Sequence, residues 1–225
     1  MTGFAIAIDG PVAAGKGTIA GLLAHHLHGF HLNTGAMYRC LALFCLENGI
    51  SVSDQKAVVE ALTHVWFDMT DDAVFMNGED VTEKLKQRSV TTTVPKVAAI
   101  REVREEMVKR QREIGLKKIE NGNVVIAEGR DAATKIFPDA KMKIFLTARP
   151  EIRAQRRFEQ MGGKHNATIS YDQILADTKE RDYKDTHRTV DPLVSDPEEY
   201  GYMVLDDSDL NEEETIEKVL KELSL

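Results

Sequence analysis

Near the N-terminus the run Gly10, Pro11, Val12, Ala13, Ala14, Gly15, Lys16, Gly17 and Thr18 combines glycines with a lysine at a spacing suited to phosphate. A glycine-rich turn between a buried strand and a helix points successive N–H groups, with the helix dipole, at an anion. A lysine at its end then reaches the terminal phosphates of a nucleotide. Read alone, the stretch could be an ordinary strand-to-helix turn with Lys16 as a solvated helix residue. Its context favours phosphate, because the apolar run FAIAID precedes it and Ile19, Leu22, Leu23 and Leu27 follow at helical spacing.

Phosphate loops usually carry Ser or Thr directly after the lysine as a ligand for Mg²⁺. Gly17 holds that place here, and the hydroxyl arrives one residue late, at Thr18. Mg²⁺ must then be held mainly through water and phosphates, which this ion tolerates. Switch GTPases depend on the missing ligand and on Asp-x-x-Gly and Asn/Thr-Lys-x-Asp segments. Neither segment is found, which argues against that class.

Arginines and carboxylates recur downstream in NTGAMYR (Asn33 to Arg39), AEGRD (Ala127 to Asp131) and KERDYKDTHRTVDPL (Lys179 to Leu193). Guanidinium forks bind phosphate oxygens bidentately, so such clusters suit a second, anionic substrate. The run RAQRRFEQ has two readings. Arg153, Arg156 and Arg157 could form a solvated face paired with Glu151 and Glu159. They could instead sit on a lid that excludes water from a reactive phosphate, with Gly162-Gly163 as its flexible turn. His25, His26, His28 and His31 crowd one segment, where a helix C-terminus explains them better than a metal site. Cys40 and Cys45 lie on one apolar run and read as small buried hydrophobes.

The elements that must position these groups follow from the hydrophobic pattern. FAIAID, GFHLN, NVVIAEGRD, MKIFLTA and YMVLDDS read as strands, with helices between them. Thr34 is the expected N-cap of the helix that runs to about Asn48. This order predicts an α/β fold: a parallel five-stranded sheet with helices on both faces. Residues 65–81 break the rhythm, with turns at Thr70-Asp71-Asp72 and Asn77-Gly78, and predict a small antiparallel β insertion. A long charged helix is expected from near Pro95 to Glu120. One domain is expected over 1–225: a core of 1–62, 90–150 and 190–225, an insertion of 63–89, and a lid with its flanking helices at 151–189.

Composition narrows the function further. Hydrophobic content of 42% and charged content of 29% describe a soluble globular chain. A net charge of -8 argues against broad affinity for nucleic acid or an anionic membrane. Neither a secretion signal nor a membrane span is visible, so a cytoplasmic protein is expected.

The loop Gly-x-x-x-x-Gly-Lys-Gly-Thr resembles that of the nucleoside monophosphate kinases. With NTGAMYR, AEGRD and the Lys179–Leu193 segment, the chain resembles the bacterial-type cytidylate kinases from about Phe4 to the terminal helix. The resemblance implies transfer of the γ-phosphoryl group of ATP to CMP or dCMP, a step of pyrimidine nucleotide metabolism, with Mg²⁺. It implies that Gly10 to Thr18 cradle ATP, that Lys16, Arg130 and Arg188 are catalytic, and that Arg153 and Arg157 reach ATP from the lid. Thr34, Arg39, Arg104, Arg130, Asp131, Arg181, Asp185 and Arg188 would bind CMP. Arg39, Arg130 and Arg188 would take its phosphate, Arg181 and Asp185 its ribose, and Arg104 and Asp131 its base. Small nucleotides are the expected partners, without nucleic acid or membrane, and a monomer is expected. A kinase of another small acceptor and a non-catalytic nucleotide-binding regulator are the alternatives.

Cytosine offers a donor at N4 and acceptors at N3 and O2, which Asp131 and Arg104 match. Uracil would set an acceptor against the same carboxylate, at a cost of about 1–3 kcal/mol. Three positions depart from the family pattern. Ala13 replaces a glycine, which suffices if its φ stays negative. Glu128 replaces a shorter Asp near the expected Mg²⁺. Pro95 replaces a serine that contacts the base, leaving Thr92 or Thr93 as the nearest hydroxyls.

Overall fold

The structure is a computed structural model describing residues 2–70, 73–163 and 169–223. Asp71 and Asp72 of the first insertion turn, and residues 164–168 of the expected lid loop, lie outside the described residues. Strand β1 (Phe4–Asp9) occupies the middle of a five-stranded parallel sheet of order β2-β6-β1-β7-β8. The other strands are β2 (Phe30–Asn33), β6 (Val124–Gly129), β7 (Met142–Thr147) and β8 (Met203–Asp206). Because all run the same way, their C-terminal ends open along one edge. Register Asp9↔Gly129 sets the start of the loop, and Asn33↔Glu128 the start of NTGAMYR, beside the AEGRD segment. Ligands of open α/β sheets collect at this edge.

The strand period of two divides the core between the two faces. Ala5, Ala7, Val125 and Ala127 face one cluster, which α2 (Thr34–Glu47), α4 (Arg88–Val97) and α5 (Arg101–Glu120) complete. Ile6, Ile8, Ile126, Ile144 and Leu146 face the other, covered by α1 (Lys16–His26) and α8 (Glu212–Leu223). Helix α1 has no side-chain cap, and His25 and His26 occupy its last turn as the dipole favours. Helix α2 is capped by Asn33, whose side chain accepts from the N–H of Ala36 at 3.0 Å. Thr34, the expected cap, is its first helical residue and donates to the Glu128 carbonyl at 2.7 Å instead.

The insertion follows α3 (Gln55–Ala61) as three antiparallel strands, β3 (Phe67–Met69), β4 (Val74–Met76) and β5 (Glu79–Asp80). Asn77 and Gly78, both at positive φ, make the tight turn between the last two. The helix expected from Pro95 begins instead at Arg101. Pro95 lies inside α4, which ends two residues later, and the proline costs that helix only the bond its N–H would make to the Thr91 carbonyl. Helices α6 (Pro150–Gln160) and α7 (Tyr171–His187) pack on each other beside the loop.

Candidate active site

Several backbone constraints shape the loop. A Cβ on Gly10 would stand 2.0 Å from the Leu146 carbonyl oxygen, so only glycine lets β1 leave the sheet here. Gly15 adopts φ 79 ahead of α1. Ala13 adopts φ 57, against the expectation of a negative value. A concave row of N–H groups needs residues of left-handed conformation, and alanine accepts that strain here. Lys16 is buried, and its ammonium donates to the Pro11 carbonyl at 2.6 Å. Burial, joined by repulsion from Arg130, lowers this ammonium to about 7, while Glu128, Asp9 and Asp185 pull the other way.

Asp9, at the end of β1, fixes the segment after AEGRD. Its carboxylate accepts from the N–H groups of Ala132 and Ala133 at 2.9 and 2.8 Å and from the Tyr202 hydroxyl at 2.7 Å. Burial pushes this carboxyl up to about 6, against the pull of those bonds. The result is a turn of π-helix, Ala132–Ile136, clamped under β1. A lone carboxylate closing the apolar run FAIAID was the sequence signal for this role, which the sequence reading missed.

Across the loop, Asp185 gathers three of the arginines singled out in the sequence. Arg130 donates to it through Nε at 2.8 Å and Arg181 through Nε at 3.2 Å, and Nη1 of Arg188 lies 3.8 Å away. Burial raises the Asp185 carboxyl, but Arg130, Arg181 and Arg188 together outweigh it and bring it down to about 2. Burial lowers Arg39, Arg181 and Arg188 below the usual guanidinium range, and neighbouring arginines add to the lowering. Asp185 alone thus answers the guanidiniums of Arg130, Arg181 and Arg188, while Glu128, Asp9, Asp131 and Asp182 lie near other cations of the site. Three half-buried guanidiniums on one carboxylate suit an anionic ligand.

Arg104 and Asp131 meet as a buried ion pair. Arg104 also donates through Nε to Asp191 at 3.2 Å and through Nη1 to the Ala98 carbonyl at 3.3 Å. These bonds engage three of the five N–H donors of its guanidinium. Its guanidinium carbon lies 5.6 Å from the ring centre of Tyr38, whose buried hydroxyl has no hydrogen-bond partner among the described residues. An unpartnered buried hydroxyl beside charged groups is free to meet a ligand, and the sequence reading missed it. Thr92 and Thr93 donate to the carbonyls of Arg88 and Ser89, each at 2.8 Å, so both hydroxyls are engaged within their own helix.

The arginines of α6 divide by partner. Arg153 is buried and donates to the carbonyls of Val12 and Ala148, both at 2.8 Å, and to Asp182 at 2.7 Å. Arg156 pairs with Asp207 at 2.9 Å. Arg157 donates to Gln160 at 2.8 Å and is near enough to Arg39 to lower it further. Glu128 is buried at the end of β6, and its Oε1 would be 3.9 Å from a Cβ at Gly17. The absence of a side chain at 17 therefore leaves room beside this carboxylate. Among the described residues, no group of three or more His, Cys, Asp or Glu is arranged to hold a metal, and no helix is long and apolar enough to cross a membrane.

Comparison with known proteins agrees with this geometry. The sequence model of the family described as cytidylate kinase matches residues 6–225. A cytidylate kinase of Fusobacterium nucleatum is 40% identical over 223 residues, covering 99% of this chain and 98% of its own. One from Caldicellulosiruptor bescii is 44% identical over 221 residues, covering 96% of this chain and 93% of its own. Among solved structures, an uncharacterized protein of Eubacterium ventriosum superposes with a TM-score of 0.55 at 13% identity, covering 98% of each chain. TT1252 of Thermus thermophilus superposes with a TM-score of 0.51 at 19% identity, covering 100% of this chain and 97% of its own.

Proposed function

This chain belongs to the cytidylate kinase family, ATP-dependent enzymes that phosphorylate CMP and dCMP, and we propose that its positive pocket divides their two substrates between loop and arginines. The loop Gly10 to Thr18 takes the phosphates of ATP. Arg39, Arg130 and Arg188 take the acceptor phosphate, Arg181 and Asp185 the ribose, and Arg104 and Asp131 the cytosine. The observation that carries this division is the placement of Lys16 inside the loop and the convergence of Arg130, Arg181 and Arg188 on the single carboxylate of Asp185.

A phosphate oxygen of the acceptor attacks the γ-phosphorus in line, and the bond to the β–γ bridging oxygen breaks to release ADP. That oxygen is already anionic at neutral pH, so no side chain acts as base. Positioning and charge stabilisation supply the rate. Holding the two phosphates in line is worth about 7–11 kcal/mol of barrier. The arginines also offset the repulsion between two polyanions. Lys16 gains full charge when phosphates replace the Pro11 carbonyl as its partner, which strengthens its hold as charge moves to the bridging oxygen.

Glu128, beside Gly17, would help hold Mg²⁺, mainly through water, and the ion would neutralise phosphate oxygens. Residues 63–89 would serve as the acceptor-side insertion and 151–189 as the lid with its flanking helices. Arg153 supports the loop from behind, because its guanidinium already holds the Val12 carbonyl and Asp182. Arg157 is the lid arginine that faces the acceptor side. We place the protein in the cytoplasm as a monomer acting on free nucleotides in pyrimidine metabolism, with neither nucleic acid nor membrane as partner.

The test is a panel of CMP, dCMP, UMP, AMP and GMP offered with ATP·Mg²⁺. CMP or dCMP should be preferred. A preference for any other acceptor would remove the base assignment of Arg104 and Asp131.

A further inference from the structure

Asp191 touches both ends of the acceptor site. Its Oδ2 accepts from Nε of Arg104 at 3.2 Å, and its Oδ1 lies 2.9 Å from the Lys135 ammonium. Its backbone carbonyl accepts from Arg188 through Nε at 2.7 Å and also through Nη2. One residue therefore holds the guanidinium assigned to the base by its side chain and the one assigned to the phosphate by its main chain. It does so at φ 45, immediately before Pro192. A non-glycine residue rarely adopts that conformation, and a following proline restricts it further. Local strain of this kind persists only where the surroundings over-determine it, and it clusters at ligand clamps.

The surroundings do over-determine it. Arg104 is fixed from three sides, by Ala98 between α4 and α5, by Asp131 after β6, and by Asp191. Lys135, on the π-helical turn held by Asp9, takes the second carboxylate oxygen and limits the rotation of Asp191. Leu193, two residues on, donates its N–H to the Asp185 carbonyl at 2.9 Å and ties the same loop back to α7.

We propose that Asp191 is a positioning residue that sets the separation between Arg104 and Arg188, so that the acceptor is gauged from base to phosphate by a single link. The proposal rests on the reading of Arg104 and Arg188 as acceptor-binding residues. It implies that the side chain and the main chain of Asp191 act separately and can be separated by mutation.

Glycine adopts φ 45 without strain, so Asp191→Gly keeps the carbonyl on Arg188 and removes the side chain's hold on Arg104 and Lys135. This variant should raise KM for CMP by about tenfold or more while KM for ATP moves by less than about twofold. Its preference for CMP over UMP should fall with it. Asp191→Asn retains an acceptor for Arg104 and tolerates the conformation, so it should restore most of the lost CMP affinity. Parallel changes in both KM values, or no change in either, would overturn the proposal. If Asp191→Gly unfolds, titrating Asp191→Ala, which also lacks the carboxylate, with CMP and UMP decides: a narrowed preference supports the link, and wild-type behaviour overturns it. Arg104→Lys, run alongside, tests the underlying reading: unaltered CMP affinity there removes the base assignment, whereas altered affinity with unaffected Asp191 variants overturns the link alone.

Discussion

The backbone N–H of Val12, inside the phosphate loop, donates to the carboxylate of Asp182 on α7 at 3.2 Å. The same residue's carbonyl receives Arg153 of α6, which in turn donates to Asp182 at 2.7 Å. Loop, α6 and α7 therefore meet at one main-chain residue, next to Arg181. Asp182→Ala should loosen the loop and leave Arg153 buried without its counter-charge. A loss of about 2–4 kcal/mol in unfolding free energy is expected, measured by urea denaturation, together with a raised KM for ATP. Unchanged values of both would show that the contact contributes nothing.

Lys16 behaves differently, because its burial opposes its charge. Lys16→Ala should reduce transfer by about a hundredfold or more, since a cation aimed at developing charge is lost. The protein should stay folded, with a thermal midpoint at or above that of the parent, because a poorly solvated ammonium has been removed. Circular dichroism and a coupled ADP assay check the two outcomes.

The lowered Lys16 also links binding to protons. Its ammonium falls from 10.5 to about 7 in the free site, chiefly through burial. The folded protein therefore binds fewer protons than the unfolded chain between these values, and this group makes stability rise with pH across that window. Polyphosphate favours the charged form, so ATP binding above pH 7 should take up as much as about one proton per site, and affinity should fall as pH rises. Calorimetry in buffers of different ionisation enthalpy measures the uptake. Proton-independent binding by the parent, matched by Lys16→Ala, would contradict this account.

Asp185 has the opposite sign. Its carboxyl lies at about 2 in the fold against 3.8 as the ordinary value. The stability it contributes is fully present above 3.8 and disappears as pH falls towards 2. Asp185→Asn should be less stable than the parent at pH 7, and the gap should close between about pH 4 and 2. Denaturation series at several pH values read this convergence directly.

How much of this was legible beforehand follows from the range of each interaction. The strands, the loop and the tight Asn77-Gly78 turn rest on local pattern, and the structure has them where periodicity placed them. The long helix ends at Glu120 as expected but starts at Arg101, because a helix that tolerates proline near its C-terminus looks like a helix beginning there. Asn33 displaced Thr34 as cap because the Thr34 hydroxyl is claimed by the Glu128 carbonyl, a partner 94 residues away. Asp9, Asp182 and Asp191 went unread for the same reason: a single carboxylate carries no periodic signal, and its partners lie on other elements. Arg104 shows the limit most plainly, since its helix looks like a solvated charged face, yet the side chain is 2% exposed. Only the family resemblance marked it.

The uniform direction of the sheet separates two ends of the molecule. Helices α2 and α5 run back from the edge that holds the chemistry and end at Gly49 and at Asn121-Gly122, on the far side. Gly49 holds φ 64, which favours glycine, so the exposed Asn48 beside it is the position to substitute. These turns are natural anchor points: a dye, a surface tether or a fused partner attached there leaves the nucleotide entrance facing outward. The enzyme can thus be immobilised or observed from behind without a label competing for its substrates.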